Sequence, residues 1–334
     1  MAGAVSDYSG FDFERLWRGR EKVTEVERAL VTDVLRTVDH RRLLEVGTGF
    51  GRLLGCLTAT GGEVVALDFD ATTLARVPMP AKDSRPVLRV AANLYYLPFV
   101  DGAFTAATMI RVFHHLDAPV AALSEIGRVL RGGSFLLVSY TPKPSVGTLV
   151  TDVQRALRPV DGAPFRSATF SRGQVASVSS EPFPVLVGSR DSFRGTIRAA
   201  GFGSEGERVA GLEEYRFLRS LPGRWFGRIA EVYGRAPGFP VRFALLRVLR
   251  AQNIPLPAAD RILACPRCRT PFGSIRVRDA LVCPRCLYKG VVRDGVVDLR
   301  YVPDSVPQVR IPQAALQPRN EVAAAAVPTR GALE

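Results

Sequence analysis

No apolar run in the 334 residues reaches membrane-spanning length, and the N-terminus has no basic segment followed by an apolar stretch and small residues. A spanning helix needs about 20 consecutive apolar residues, so neither a helical anchor nor a secretion signal is expected, and a cytoplasmic location follows. No internal repeat is present beyond two paired cysteine motifs, which excludes a repeat array. Lysine is nearly missing, because 41 of the 45 basic residues are arginine. A GC-rich genome produces the same bias, so the net charge of +13 carries modest weight as a binding signature.

A hydrophobic content of 47% is ample for a buried core, and the length exceeds the usual single core, so two unequal domains are expected. Charge is regional: −2 over residues 1–40, +2 over 41–141, +7 over 142–260, +6 over 261–300 and zero over 301–334. The basic excess in the second half suits a polyanion such as RNA, or an acidic membrane surface.

Residues Leu43 to Gly51 (Leu-Leu-Glu-Val-Gly-Thr-Gly-Phe-Gly) are an apolar strand running into a glycine-spaced turn. Glycines at 47, 49 and 51 let the backbone turn at positive φ and approach a ligand, and a helix starting near Phe50 would aim N–H groups at it. Glu63 to Leu67 reads as a second buried strand, with Asp68 at its carboxyl end placed to accept two hydrogen bonds from a ribose diol. The spacing is not the Gly-x-Gly-x-x-Gly of dinucleotide sites, and Glu45 is poorly placed beside a pyrophosphate. A cofactor carrying an ammonium or sulfonium suits that acid better. Val87 to Ala92, Ala103 to Ile110 and Ser134 to Tyr140 read as further strands of an open parallel sheet with right-handed crossovers. A helix from Ala118 to Arg131 is punctuated by Asp117 as N-cap, Pro119 in the first turn and Gly132 as stop. Ligands sit beyond the carboxyl ends of such strands, which puts Gly47, Asp68, Asn93 and Arg111 around one crevice.

Glu45 to Gly51 resembles motif I of the class I S-adenosylmethionine-dependent methyltransferases. Asn93 to Phe99 with Asp101 to Phe104, then Phe113-His114-His115-Leu116, then Glu125 to Gly133, are similar to the type 11 branch of that family. The resemblance implies a Rossmann-like α/β sheet, S-adenosylmethionine as cofactor, and cofactor contacts at Glu45, Gly47, Thr48, Gly49, Gly51, Asp68, Asn93 and Leu94. The branch usually has an acid where Asn93 stands. An amide oxygen can still accept from the adenine amino group, so binding with altered strength is expected. Ile110-Arg111-Val112-Phe113 replaces the Asn-Pro-Pro-Tyr segment of glutamine and exocyclic-amine methylases, which argues against those substrates.

Four of the five cysteines fall as Cys265-Pro-Arg-Cys268, fourteen residues, then Cys283-Pro-Arg-Cys286. Two Cys-x-x-Cys turns supply the closed tetrahedral sulfur shell of structural zinc, with iron second because four thiolates suit both. Disulfides are the alternative, disfavoured in a reducing compartment. Residues 261 to 299 resemble the small zinc-ribbon activator subunit of translation-related methyltransferases, here fused in cis. That resemblance implies docking on the chain's own methyltransferase domain, reading of substrate, or stabilisation. Cys56 reads as a small core residue.

The expected division is therefore a methyltransferase domain over 1–255, with a substrate lid at 142–190 where six prolines break the pattern, a zinc ribbon over 256–301, and a disordered tail over 302–334. Thr148 to Leu157 and Asp191 to Ala200 read as helices, and Glu213 to Leu218 as a last strand. Methyl transfer needs an electrophilic methyl in line with a nucleophile, and a base helps only if the acceptor carries a proton. His114 and His115 are candidate bases, weighed against packing or capping, and Arg111 is a candidate holder of a substrate anion, weighed against a surface salt bridge. Tyr8, Phe11 and Trp17 either close over the cofactor or pack the first helix. Three functions fit: a methyltransferase acting on RNA or a translation component, one acting on a small, lipid or quinone-type molecule, and a non-catalytic cofactor-binding scaffold.

Overall fold

The computed structural model describes residues 5–8, 12–79, 87–140, 176–178, 185–187, 189–210, 241–250, 254–273 and 280–310. The chain opens with β1 (Val5–Asp7), α1 (Phe13–Trp17) and α2 (Glu21–Leu35). Then come β2 (Arg42–Val46), α3 (Leu54–Thr58), β3 (Glu63–Asp68), α4 (Ala71–Arg76), β4 (Val87–Ala91), β5 (Phe104–Met109), α5 (Pro119–Val129) and β6 (Leu130–Tyr140). After a small hairpin of β7 (Ala176–Val178) and β8 (Val185–Val187), α6 (Arg190–Ala199) leads into β9 (Phe202–Ala210) and β10 (Val241–Val248). The C-terminal part contributes β11 (Leu281–Val282), β12 (Lys289–Arg293), β13 (Val296–Asp298) and β14 (Gln308–Arg310).

Ten of these strands form one sheet in the order β11-β12-β13-β4-β3-β2-β5-β6-β10-β9. The five from β4 to β6 are parallel, and β10 lies antiparallel between β6 and β9. Strand order reverses at β2, so the crevice for a ligand lies beyond the carboxyl ends of β2, β3 and β5. The apolar strands bury both faces, and side chains alternate between them. Leu44, Val46, Val65 and Leu67 pack with Leu123, Ile126 and Phe202, while Leu43, Val64 and Ala66 pack with Val31, Val34 and Leu57. This is the Rossmann-like α/β architecture.

Three local expectations are corrected. The segment after the glycine turn is a run of tight turns, and helix begins only at Leu54. Helix α5 starts at Pro119 with Ala118 as a cap that offers no side-chain bond, and it stops at Val129. Leu130 is already extended and pairs with Phe104, because strand pairing in β6 outweighs the helical propensity of Leu130 and Arg131. Residues 302–310, expected to begin a disordered tail, instead lead to β14, which pairs in parallel with β1. The expected helix over 148–157, the strand over 213–218, Phe11, and the tail beyond 310 lie outside the described residues, as does most of the 142–190 segment.

The segment around the cysteines joins the sheet at its β4 edge. β13 pairs in parallel with β4, Leu299 donates its N–H to the Ala91 carbonyl at 2.9 Å, and Ala264 donates to the Pro98 carbonyl at 2.9 Å. An edge strand that would expose a row of unpaired backbone groups is thereby covered.

Candidate functional site

Gly47, Gly49 and Gly51 hold φ of 72°, 54° and 82°. Packing also demands glycine at 47, because a Cβ there would collide with the Val112 side chain just past β5. A Cβ on Gly49 would meet nothing within 4 Å, so this glycine has open space beside it and owes its place to its positive φ. The loop is tied to β3: Gly47 and Thr48 donate their N–H groups to the Leu67 carbonyl at 2.8 and 3.0 Å, and Gly49 donates to Asp68 Oδ2 at 2.8 Å.

The other Asp68 oxygen accepts from the Asp70 N–H at 3.1 Å. Burial pushes the Asp68 carboxyl up, with the Gly49 bond pulling against it. Glu45, at 4% exposure, accepts from Thr48 Oγ1 at 3.1 Å, and burial lifts its carboxyl to about 8. Its cross-strand neighbour Thr108 has a buried hydroxyl with no hydrogen-bond partner among the described residues. An acid that neutral water cannot ionise fully, next to an unpartnered hydroxyl, suits a cationic group bearing hydrogen-bond donors.

Asn93 and Leu94 follow β4 at the opposite side of the crevice mouth. The Asn93 side chain is 1% exposed, with Oδ1 accepting from the Tyr95 N–H at 3.1 Å and Nδ2 donating to the Tyr301 carbonyl at 3.0 Å. Both ends of the Asn93 amide are thus engaged within the protein, with one lone pair of Oδ1 taken by the Tyr95 N–H.

The Arg111 guanidinium is held by Glu27 at 2.7 to 2.8 Å, and because that partner is buried, at 1% exposure, the pair is a buried bridge and not the surface bridge weighed from the sequence. Glu27 also grips Arg52, whose guanidinium lies 4.0 Å from the Trp17 ring centroid. Helices α1 and α2 are thus clamped to the glycine loop through Arg52 and to the end of β5 through Arg111. Sequence reasoning missed Glu27, although a glutamate in register with the apolar Val23, Leu30, Val31 and Val34 of α2 was a visible signal.

His114 and His115 lie in a 3-10 turn, Phe113–His115, beyond β5. Burial pushes both imidazoles down, His115 to about 4 and His114 well below its ordinary value, so both are neutral near pH 7. Tyr8 Oη lies 3.1 Å from His115 Nδ1, which brings the residue after β1 against the turn beyond β5. Nearby, the Tyr140 ring stacks on Phe193 at 3.7 Å between centroids, and Phe113 meets Phe193 edge-on at 5.3 Å.

Far from the glycine loop in sequence, the four sulfurs of Cys265, Cys268, Cys283 and Cys286 lie within 4.8 Å of one another. The two turns are built alike. Arg269 and Leu287 each hold a φ near 60° and donate to the carbonyl of the first cysteine of their pair, at 2.8 and 3.1 Å. Cys265 and Cys283 donate to Thr270 and Tyr288 carbonyls, both at 2.8 Å. Cys56 is separate, half-buried, with its thiol donating to the Leu53 carbonyl at 3.0 Å.

A methyltransferase-domain family model matches residues 44–138, the span from β2 to β6. The demethylmenaquinone methyltransferase of Thermus thermophilus is 32% identical over 199 residues, which cover 58% of this chain and 83% of that protein. The ubiquinone/menaquinone biosynthesis C-methyltransferase of a Geobacter species is 29% identical over 172 residues, 48% of this chain and 70% of that one. Two further demethylmenaquinone methyltransferases are matched over only about half their length. Among solved structures, a Haloferax volcanii complex of the Trm112 methyltransferase activator with a methyltransferase aligns at 17% identity and a TM-score of 0.47, covering 72% of this chain and 97% of that one. That likeness is too low to carry a partner across. The chain belongs to the S-adenosylmethionine-dependent methyltransferases. No helix among the described residues is long and apolar enough to cross a membrane.

Proposed function

We propose that this methyltransferase acts on a small hydroxylated aromatic acceptor of the quinol type. The observation that carries the reading is the match to the Thermus demethylmenaquinone methyltransferase over 83% of that protein's length. The rings of Phe113 beyond β5 and Tyr140 at the end of β6, with Phe193 of α6 packed on both, agree with an apolar acceptor. An RNA or translation-component acceptor has no such relative behind it, and the basic second half alone does not favour it.

The crevice fits S-adenosylmethionine on its own chemistry: an open glycine at 49, a buried acid at 45 for the ammonium, and Asp68 at the end of β3 for the ribose diol. Bound there, the cofactor supplies a methyl on a sulfonium. The chain's part is to orient that methyl towards the acceptor and to exclude water. In this reading His115, neutral and paired with Tyr8, is the candidate base for an acceptor hydroxyl, a base weakened by the burial that holds its imidazole to about 4, while His114 packs against it at 4.0 Å between ring centroids.

The four cysteines fit a structural zinc ion. Sulfurs about 2.3 Å from zinc define a tetrahedron with edges of about 3.8 Å, and the pairs Cys265–Cys286 and Cys268–Cys283 stand at 3.5 Å. In this reading residues 256–301 are a metal-held module whose strand β13 completes the sheet of the 1–255 domain, in a compartment that keeps thiols reduced.

The test is incubation with methyl-labelled S-adenosylmethionine and a cell extract, with Asp68→Ala as the control. Label in the organic-soluble fraction supports the proposal. Label in RNA would replace it, and tight cofactor binding without label would point to a scaffold.

A further inference from the structure

Past the cysteine unit, the chain turns back to the cofactor crevice. Asp298 pairs with Ala91 at the end of β4, and Leu299 follows by donating to the Ala91 carbonyl. Arg300 grips Asp298 through bonds of 2.9 and 2.5 Å and lays its guanidinium 5.6 Å from the ring centroid of Phe69, the residue directly after Asp68. Tyr301 places its ring edge-on to Tyr96 at 5.3 Å and accepts from Asn93 Nδ2 through its carbonyl. The chain then runs to β14 against β1, whose next residue, Tyr8, meets His115. Residues 298–301 therefore border Phe69, next to the proposed ribose acid, and the Asn93 position, and the strand that follows them pairs with β1.

The polarity at Asn93 follows from that segment. A carbonyl 3.0 Å away requires a donor, and only the amide nitrogen supplies one. An ionised carboxylate in the same place would face the carbonyl with acceptors alone, and it would bond that carbonyl only by holding a proton against its ordinary titration.

We propose that residues Asp298–Tyr301 form the outer wall of the adenosine subsite, and that Asn93 is the positioning residue that latches this wall, its nitrogen serving the Tyr301 carbonyl rather than its oxygen serving adenine. The inference rests on the proposed reading of the crevice as the S-adenosylmethionine site. Arg300 backs Phe69 from outside, so both contacts act on the cofactor through the rigidity of the wall.

The experiment measures S-adenosylhomocysteine binding by calorimetry on the full chain, with hydrogen exchange of peptides covering 298–303, for wild type, Asn93→Asp, Arg300→Ala and Asp68→Ala. Asn93→Asp retains every acceptor and loses only the donor. It is expected to bind about tenfold more weakly, and Arg300→Ala about threefold, as loss of single polar contacts implies. In the wild type the ligand is expected to slow exchange across 298–303, a readout that a purely structural latch would leave unmoved. Asn93→Asp binding as tightly as wild type would return the amide oxygen to adenine and overturn the latch. Absence of ligand protection in 298–303 would overturn the wall. If Asn93→Asp does not fold, Arg300→Ala and the exchange pattern decide. If Asp68→Ala alone binds normally, the ribose assignment fails while the wall stands.

Discussion

The glycine loop and the cysteine turns are both tight backbone reversals that present atoms to a ligand, yet they are held in different ways. Gly47 is pinned by Val112 on one side and by the Leu67 carbonyl on the other, within strands buried on both faces. That loop has its shape from packing, before any cofactor arrives. The cysteine turns are each closed by local hydrogen bonds, and the first is tied to Pro98 and Glu125 through Ala264 and Arg269, while the four sulfurs converge within 4.8 Å of one another, an arrangement that the proposed metal would complete. A preformed site costs little to fill, whereas a site completed by its ligand makes that ligand part of the fold.

Removing the proposed metal should therefore have the largest effect. In isolated zinc-finger peptides the ion is worth about 10 kcal/mol or more near neutral pH, and here chelation is expected to free β11 to β13 from the β4 edge. Elemental analysis should find about one zinc or iron per chain. Melting temperature and exchange in residues 87–93 measure the consequence, and a metal-free chain melting unchanged would erase the contrast. Next comes Gly47→Ala, which adds left-handed strain and a collision with Val112, expected to cost roughly 2 to 4 kcal/mol of stability in chemical denaturation. If it costs nothing, packing does not shape the loop.

Asp68→Ala removes the proposed ribose contact together with the carboxylate that ties the Gly49 and Asp70 N–H groups. It should weaken cofactor binding by roughly 1.5 to 3 kcal/mol in calorimetry, as loss of a charge-assisted bond implies, and loosening of the Gly49 tie should show as faster exchange in the glycine loop. The finest test concerns Glu45. Its folded carboxyl titrates near 8 against an ordinary value of 4.5, so the folded state holds more protons than the unfolded chain between these values. Stability from this group is full below about 4.5 and is lost as pH rises through about 8. A cofactor ammonium beside it favours the ionised form, so binding near pH 7 should release close to one proton, read from calorimetry in buffers of different ionisation enthalpy. Release of none would detach Glu45 from the ammonium.

The sheet was legible because period and length mark buried parallel strands: β2 and β3 lie where the apolar runs of 43–46 and 63–67 place them. Element ends were less so. Asp117 and Gly132 carry strong cap and stop signals, but the β5–β6 ladder ends α5 at Val129. The site divides similarly. Glycines in a turn and cysteines in pairs are local chemistry, and their spacing alone places them together. Arg111 and Asn93 depend on partners 84 and 208 residues away, Glu27 and Tyr301.

Sequence by itself determined the class of fold, the glycine loop with its acid, and the convergence of four thiols, because each depends on residues close along the chain or on a periodicity that burial enforces. Only the tertiary structure decided that β13 completes the sheet at β4, that Arg111 neutralises a buried glutamate, and that Asn93 faces a carbonyl from residue 301. Those are pairings across long loops. Their energy depends on which polar groups are desolvated together, and linear order does not carry that information.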